Sequence, residues 1–70
     1  MDKPIVEVYF DPSGVRGGKL GCYRARLRSD HGIHDAGETA KEALENLLVL
    51  AVTIGRSGDA NDYEVKRPGL

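Results

Sequence analysis

The stretch Gly37-Glu38-Thr39-Ala40-Lys41-Glu42-Ala43-Leu44-Glu45-Asn46-Leu47-Leu48-Val49-Leu50-Ala51-Val52-Thr53-Ile54-Gly55 decides the fold. Thr39 followed by Glu42 has the form of a capping box: the threonine oxygen can accept from the Glu42 amide while the glutamate reaches back to the cap. Ala40, Ala43, Leu44, Leu47, Leu48, Ala51 and Ile54 then recur at the spacing of one helical stripe. Gly55 suits the position just past a helix end, where a left-handed residue closes the last turn. Residues 39–54 are therefore predicted to be one amphipathic helix, with its acidic residues in the first turns where the helix dipole favours them.

The flanking segments read as strands. Over residues 4–10, Val6, Val8 and Phe10 share one face and Ile5, Glu7 and Tyr9 the other. Asp11-Pro12-Ser13-Gly14 has turn chemistry, and Gly17-Gly18 and Gly21 point to a hairpin loop with a bulge. Over residues 22–28, Tyr23, Ala25 and Leu27 alternate with Arg24, Arg26 and Arg28, so one face is apolar and the other cationic. Ser29-Asp30-His31-Gly32 reads as a turn. Ile33 and His34 form at most a very short strand before Asp35-Ala36-Gly37. Residues 57–62 read as a loop, 63–66 as a last strand and 68–70 as a tail. The expectation is a single α+β domain over residues 1–70: a small antiparallel sheet of three to four strands with one helix packed on one face, in the order β-β-(β)-α-β.

Seventy residues bury little surface, so a small core of this kind often gains stability from a crosslink, a metal or a partner. Cys22 is the only cysteine, which rules out an intrachain disulfide and suits a reducing, cytoplasmic setting. The start Met-Asp-Lys-Pro does not read as a secretory signal, and no apolar run nears the ~20 residues that span a bilayer. No membrane association is expected. The net charge of −1 conceals a segregation: residues 14–34 carry +4 and residues 35–64 carry −5. Such a field steers charged partners.

From Tyr23 to Asn46 the chain resembles the HicB-type antitoxin family. That family has a strand opening on an aromatic residue, a glycine turn, and Gly-x-Thr-x-x-Glu-Ala leading into a helix. Here Tyr23 opens the strand, Gly32 falls on the turn glycine, and Gly37, Thr39, Glu42, Ala43 and Asn46 fall on the helix entry. Arg28 and His31 stand where the family has turn prolines, and the loop over residues 15–21 is longer and richer in glycine. The resemblance implies a cytosolic, non-enzymatic regulator that binds and occludes a small RNase toxin, often as an oligomer. A second protein-binding reading is a phage or mobile-element inhibitor of a host nuclease complex, of the anti-CRISPR kind. A third is a small nucleic-acid-binding module.

The candidate contact residues are Arg24, Arg26 and Arg28, with Arg16 and Lys19 from the loop. Residues two apart on a strand stand about 6.5–7 Å apart, close to the spacing of phosphates. Arginine stripes equally receive acidic protein surfaces, and a third reading is a solvated sheet face answered by Glu7 on the neighbouring strand. With few aromatic platforms and a slightly acidic balance, a protein partner is favoured over nucleic acid. Leu47, Val49, Leu50, Val52 and Ile54 make the second half of the helix more apolar than one covered face needs. They are the candidate surface for a homodimer or a docked partner, unless loop 56–62 folds over them.

His31 and His34, with Asp30 and Asp35 nearby, do not have the fixed geometry of a metal site, and no metal or other cofactor is expected. A Cys22–histidine dyad lacks any sign of an oxyanion hole, and Gly14-x-x-Gly17-Gly18 lacks the Lys-Ser/Thr ending of a phosphate loop. No catalytic residue is assigned.

Overall fold

The computed structural model describes residues 3–16 and 18–67, with the side chains of Arg16 and Lys19 outside that description. The chain runs β1 (Ile5–Arg16), β2 (Lys19–Leu27), β3 (His34–Gly37), α1 (Ala40–Thr53), a 3-10 turn (Ala60–Asp62) and β4 (Glu64–Lys66). The strands form one sheet in the order β3-β2-β1-β4, with α1 packed on one face. The α+β class and the single covering helix agree with the sequence reading.

The helix forms where its signals lie. Thr39 is the N-cap, and its oxygen accepts from the Glu42 amide at 3.0 Å. The return bond of the capping box lands one residue early: Glu42 Oε1 accepts from the Glu38 amide at 3.2 Å. At the other end Gly55 takes φ +83°. Its amide donates to Val52, and the Arg56 amide donates to Ala51. That pair of bonds is a Schellman closure, and it needs the left-handed conformation that glycine tolerates.

Alternation along β1 and β2 builds the floor of the core. Val6, Val8, Ala25 and Leu27 meet Ala43 and Leu47 from the helix and Tyr63 from the chain just before β4. The helix can sit close to the sheet because small residues face each other. A Cβ on Gly37 would lie 2.6 Å from the Ala43 nitrogen, so β3 and the first turn of α1 touch backbone to backbone.

Four features depart from the sequence reading. First, Asp11-Pro12-Ser13-Gly14 is not a turn. β1 runs through it, and the register with β2 shifts between Asp11 and Val15 before resuming at Val15↔Leu20. The Asx chemistry is real, because Asp11 Oδ1 accepts both the Ser13 amide (3.0 Å) and the Ser13 hydroxyl (2.8 Å). It makes a bulge rather than a reversal, since pairing continues on the far side as far as Arg16↔Lys19. Second, β2 starts earlier and β3 extends through Asp35-Ala36-Gly37. Third, β4 pairs parallel to β1, so the sheet is mixed rather than wholly antiparallel. β1, β2 and β3 alternate in direction, the helix turns the chain back across the sheet, and the next strand must run as β3 and β1 do. Fourth, Phe10 is 47% exposed. β1 outruns the helix there, and Phe10 lies over Gly21 and edge-on to Tyr23 at 5.2 Å.

The edges of the sheet are closed by different devices. Leu27 donates to the Ile33 carbonyl, and alternation along the ladder then turns the backbone groups of Ala36 outward. Side chains take them: Asp35 accepts the Ala36 amide at 2.8 Å and Asn46 donates to the Ala36 carbonyl at 2.8 Å. On the other side, β4 is three residues long and carries the Glu64–Lys66 pair, and the free stretch of β1 holds the bulge and Pro12. Such features discourage another strand from adding.

Candidate functional site on the open sheet face

The face of the sheet opposite the helix carries the arginine stripe. Register places Glu7 beside Arg26, Tyr9 beside Arg24, and Arg26 beside His34, with Lys66 next to Glu7 on the other flank. Each arginine of the stripe has a carboxylate from β1. Arg24 Nε donates to Asp11 at 2.7 Å, and Arg26 Nε donates to Glu7 Oε1 at 3.2 Å. Arg28 reaches Glu7 Oε2 at 3.3 Å. Glu7, whose side chain is only 15% exposed, thus holds two guanidinium groups side by side. The Arg26 guanidinium also lies over the Tyr9 ring at 4.9 Å, a cation–π contact that sets its plane.

The acidities follow from these contacts. Hydrogen bonds from the Ser13 hydroxyl, then from Arg24 and the Ser13 amide, hold the Asp11 carboxyl down at about 2. Partial burial pushes Glu7 up, but the hydrogen bonds and charges of Arg26 and Arg28 outweigh it and leave Glu7 below its ordinary value. The bond to Asp11 raises Arg24 further. Asp11 and Glu7 stay ionised throughout the neutral range. Arg24 and Arg26 donate through Nε, and their Nη hydrogens find no acceptor among the described residues. A second acceptor can therefore approach the outer edge of each guanidinium.

Of the residues singled out from sequence, Arg24, Arg26 and Arg28 come together on this face, answered by Glu7 as the alternating pattern suggested. The side chains of Arg16 and Lys19 lie outside the described residues; their backbones pair at the hairpin end. Leu47 does not belong to an association surface. It is 1% exposed and sits in the core, because it lies on the helical line that faces β1 and β2. Leu50 is half-buried against the core, whereas Val49, at 69%, Val52 and Ile54 are exposed. Loop 56–62 covers this surface only in part. The Tyr63 hydroxyl donates to the Ser57 carbonyl at 2.6 Å and draws the loop in, so that Gly58 rests on Val52. A shallow groove of about 400 Å³ runs beside it, lined by Asp35, Asn46, Val49, Leu50 and Thr53.

His31 and His34 are exposed and lie apart, one in the turn and one on β3. Among the described residues no three His, Cys, Asp or Glu side chains converge as a metal site requires. Cys22 lies buried in β2 beneath Gly14 of the bulge, on the arginine side of the strand. The sequence reading missed Asp11 and Tyr9 as members of the site. Alternation on β1 places Tyr9 on this face, whereas the turn chemistry of residues 11–14 gives Asp11 no face.

No family model, curated protein or solved structure matches this chain. No helix among the described residues is long and apolar enough to cross a membrane.

Proposed function

We propose that this protein is a non-catalytic binding domain that regulates another protein, and that its contact surface is the open face of the sheet. One observation carries the reading: Glu7 holds Arg26 and Arg28 side by side on a face that no element among the described residues covers. Surface ion pairs of this kind contribute little to stability, whereas guanidinium groups held in place lose little freedom on meeting a partner's carboxylates. The resemblance to HicB-type antitoxins names the partner class, a small RNase toxin. The observed order of three strands, a helix and a strand is the order that family has. A cytoplasmic site of action goes with this reading and with the free thiol of Cys22.

Capture from a lysate of the host, with the bound proteins identified by mass spectrometry, tests the reading. The native chain is expected to retain a small nucleic-acid-handling protein and to inhibit its RNA cleavage when purified. The Arg26→Glu/Arg28→Glu double variant is expected to lose both. Retention of nothing by the native chain, or equal retention by both proteins, would sink the proposal. Pairing of two copies through Val49, Val52 and Ile54 belongs to the same reading. Light scattering should give a dimer mass that Val49→Glu reduces to a monomer; a native monomer at high concentration would remove the pairing.

A further inference from the structure

The carboxylates of β1 determine which kind of anion the arginine stripe can take. The arginines of β2 stand about 6.5–7 Å apart along the strand, and the carboxylate-bearing residues of β1 lie one strand away, about 4.8 Å. Beyond them on β4 come Glu64 and Lys66. Among the described ion-paired groups of the face, Arg24, Arg26, Arg28 and Lys66 stand against Asp11, Glu7 and Glu64, a surplus of one positive charge. A phosphate backbone laid on the arginines would bring a run of like charges alongside Glu7 and Asp11. Both are held ionised, so the repulsion is permanent at neutral pH. Nucleic-acid binding draws its affinity from neutralising many phosphates at once, and a nearly balanced face offers little of that. A protein surface can instead present carboxylates to the arginines and cations to the β1 acids.

We infer that Glu7, supported by Asp11, is a specificity-determining residue of this face: it orients Arg26 and Arg28 for carboxylates of an extended protein segment and rejects contiguous phosphates. The inference rests on the reading of this face as the contact surface. The complementary partner carries carboxylates at every second residue of an extended segment, with cations on its flank. Its carboxylates meet the free Nη groups of Arg26 while Glu7 keeps the Nε edge. Specificity of this kind comes from a repulsive element facing the wrong ligand as much as from attraction to the right one.

The side-chain Nε–Hε signals of Arg26 and Arg28, followed by NMR at low salt, report directly on the site. The two probes are a synthetic peptide with glutamate at every second residue and a lysine pair at each end, which supplies cations for the β1 acids, and a single-stranded DNA oligonucleotide with as many phosphates as the peptide has carboxylates. The peptide is expected to shift both signals in a saturable way, and the oligonucleotide to bind more weakly. Glu7→Gln keeps the shape and removes the charge. It should tighten oligonucleotide binding by about fourfold for each phosphate that lies about 5 Å from the lost carboxylate, as Coulomb's law in water gives. Asp11→Asn should act in the same direction, and provides a second variant if Glu7→Gln perturbs the amide spectrum of the fold. An oligonucleotide that binds the native face as well as the peptide does would overturn the inference. So would an unmoved arginine signal at saturating peptide, or unchanged oligonucleotide affinity in both variants. These outcomes are separable from those of the capture experiment. A chain that retains its protein partner yet prefers phosphate here leaves the regulatory reading standing and removes only the role of Glu7.

Discussion

Strand β2 presents two faces built from alternate residues of one short segment, and they solve opposite problems. Toward the helix, Ala25 and Leu27 are buried and Tyr23 packs against them. Toward solvent, Arg24 and Arg26 are partly covered, not by another layer but by the acids and the tyrosine of β1. The first face gains free energy from removing apolar area from water, an effect that needs no particular geometry. The second gains little stability, because exposed charges are well solvated already, but it acquires a fixed arrangement of charge. A strand can thus contribute to the core on one side and hold a fixed array of charge on the other, and the two can be perturbed separately.

The largest expected effect tests that separation. Leu47→Ala removes a buried side chain that touches the apolar face and should cost about 2–5 kcal/mol, read as a lower urea midpoint. Arg26→Ala, on the opposite face, should move the midpoint far less; equal losses would mean that the ion-paired layer supports the fold as the core does. Next comes Gly37→Ala, which forces a methyl group against the Ala43 backbone where β3 meets the helix. An overpacking loss of about 1–3 kcal/mol is expected, and a neutral result would show that the helix can shift away from β3. Thr39→Ala removes the cap and should cost about 1 kcal/mol; an unchanged midpoint would place the start of the helix elsewhere.

The smallest effect is a dependence on acid. The folded Asp11 carboxyl lies at about 2, below its ordinary value, and Glu7 is lowered too. A lowered folded pKa means that the contribution to stability is fully present above the ordinary carboxylate range. It fades as pH falls through that range toward about 2. Melting temperature should therefore drop on acidification, and Asp11→Asn should flatten part of the drop. An identical acid profile in the variant would show that the Asp11 bonds to Arg24 and Ser13 do not persist in solution.

Much of this architecture was readable in particular residues. Thr39, the apolar stripe and Gly55 mark the helix because caps and periodicity are local chemistry, settled within a few residues. Alternation placed Arg24, Arg26 and Arg28 on one face and paired Glu7 with them. Leu47 is legible as part of the stripe, yet placing it in an association surface is wrong, since it is buried in the core. Whether an apolar helical residue is covered depends on how far the sheet extends beneath it. Asp11 was missed for a related reason: its hydrogen bonds to Ser13 are the same in a turn and in a bulge, and only the partner strand distinguishes them.

By itself, the sequence determined the elements whose causes are local: a capped helix closed by Gly55, two alternating strands, and a stripe of arginines on one face of the second. Tertiary structure decided what depends on which strands become neighbours. The helix returns the chain across the sheet, so β4 lies parallel to β1. Pairing beyond Pro12 turns a turn signal into a bulge and brings Asp11 to Arg24. Asn46 reaches across from the helix to close the β3 edge. The physical reason is common to all three: each joins groups distant in the chain, and their meeting is set by the packing of the helix and the register of the sheet rather than by the residues beside them.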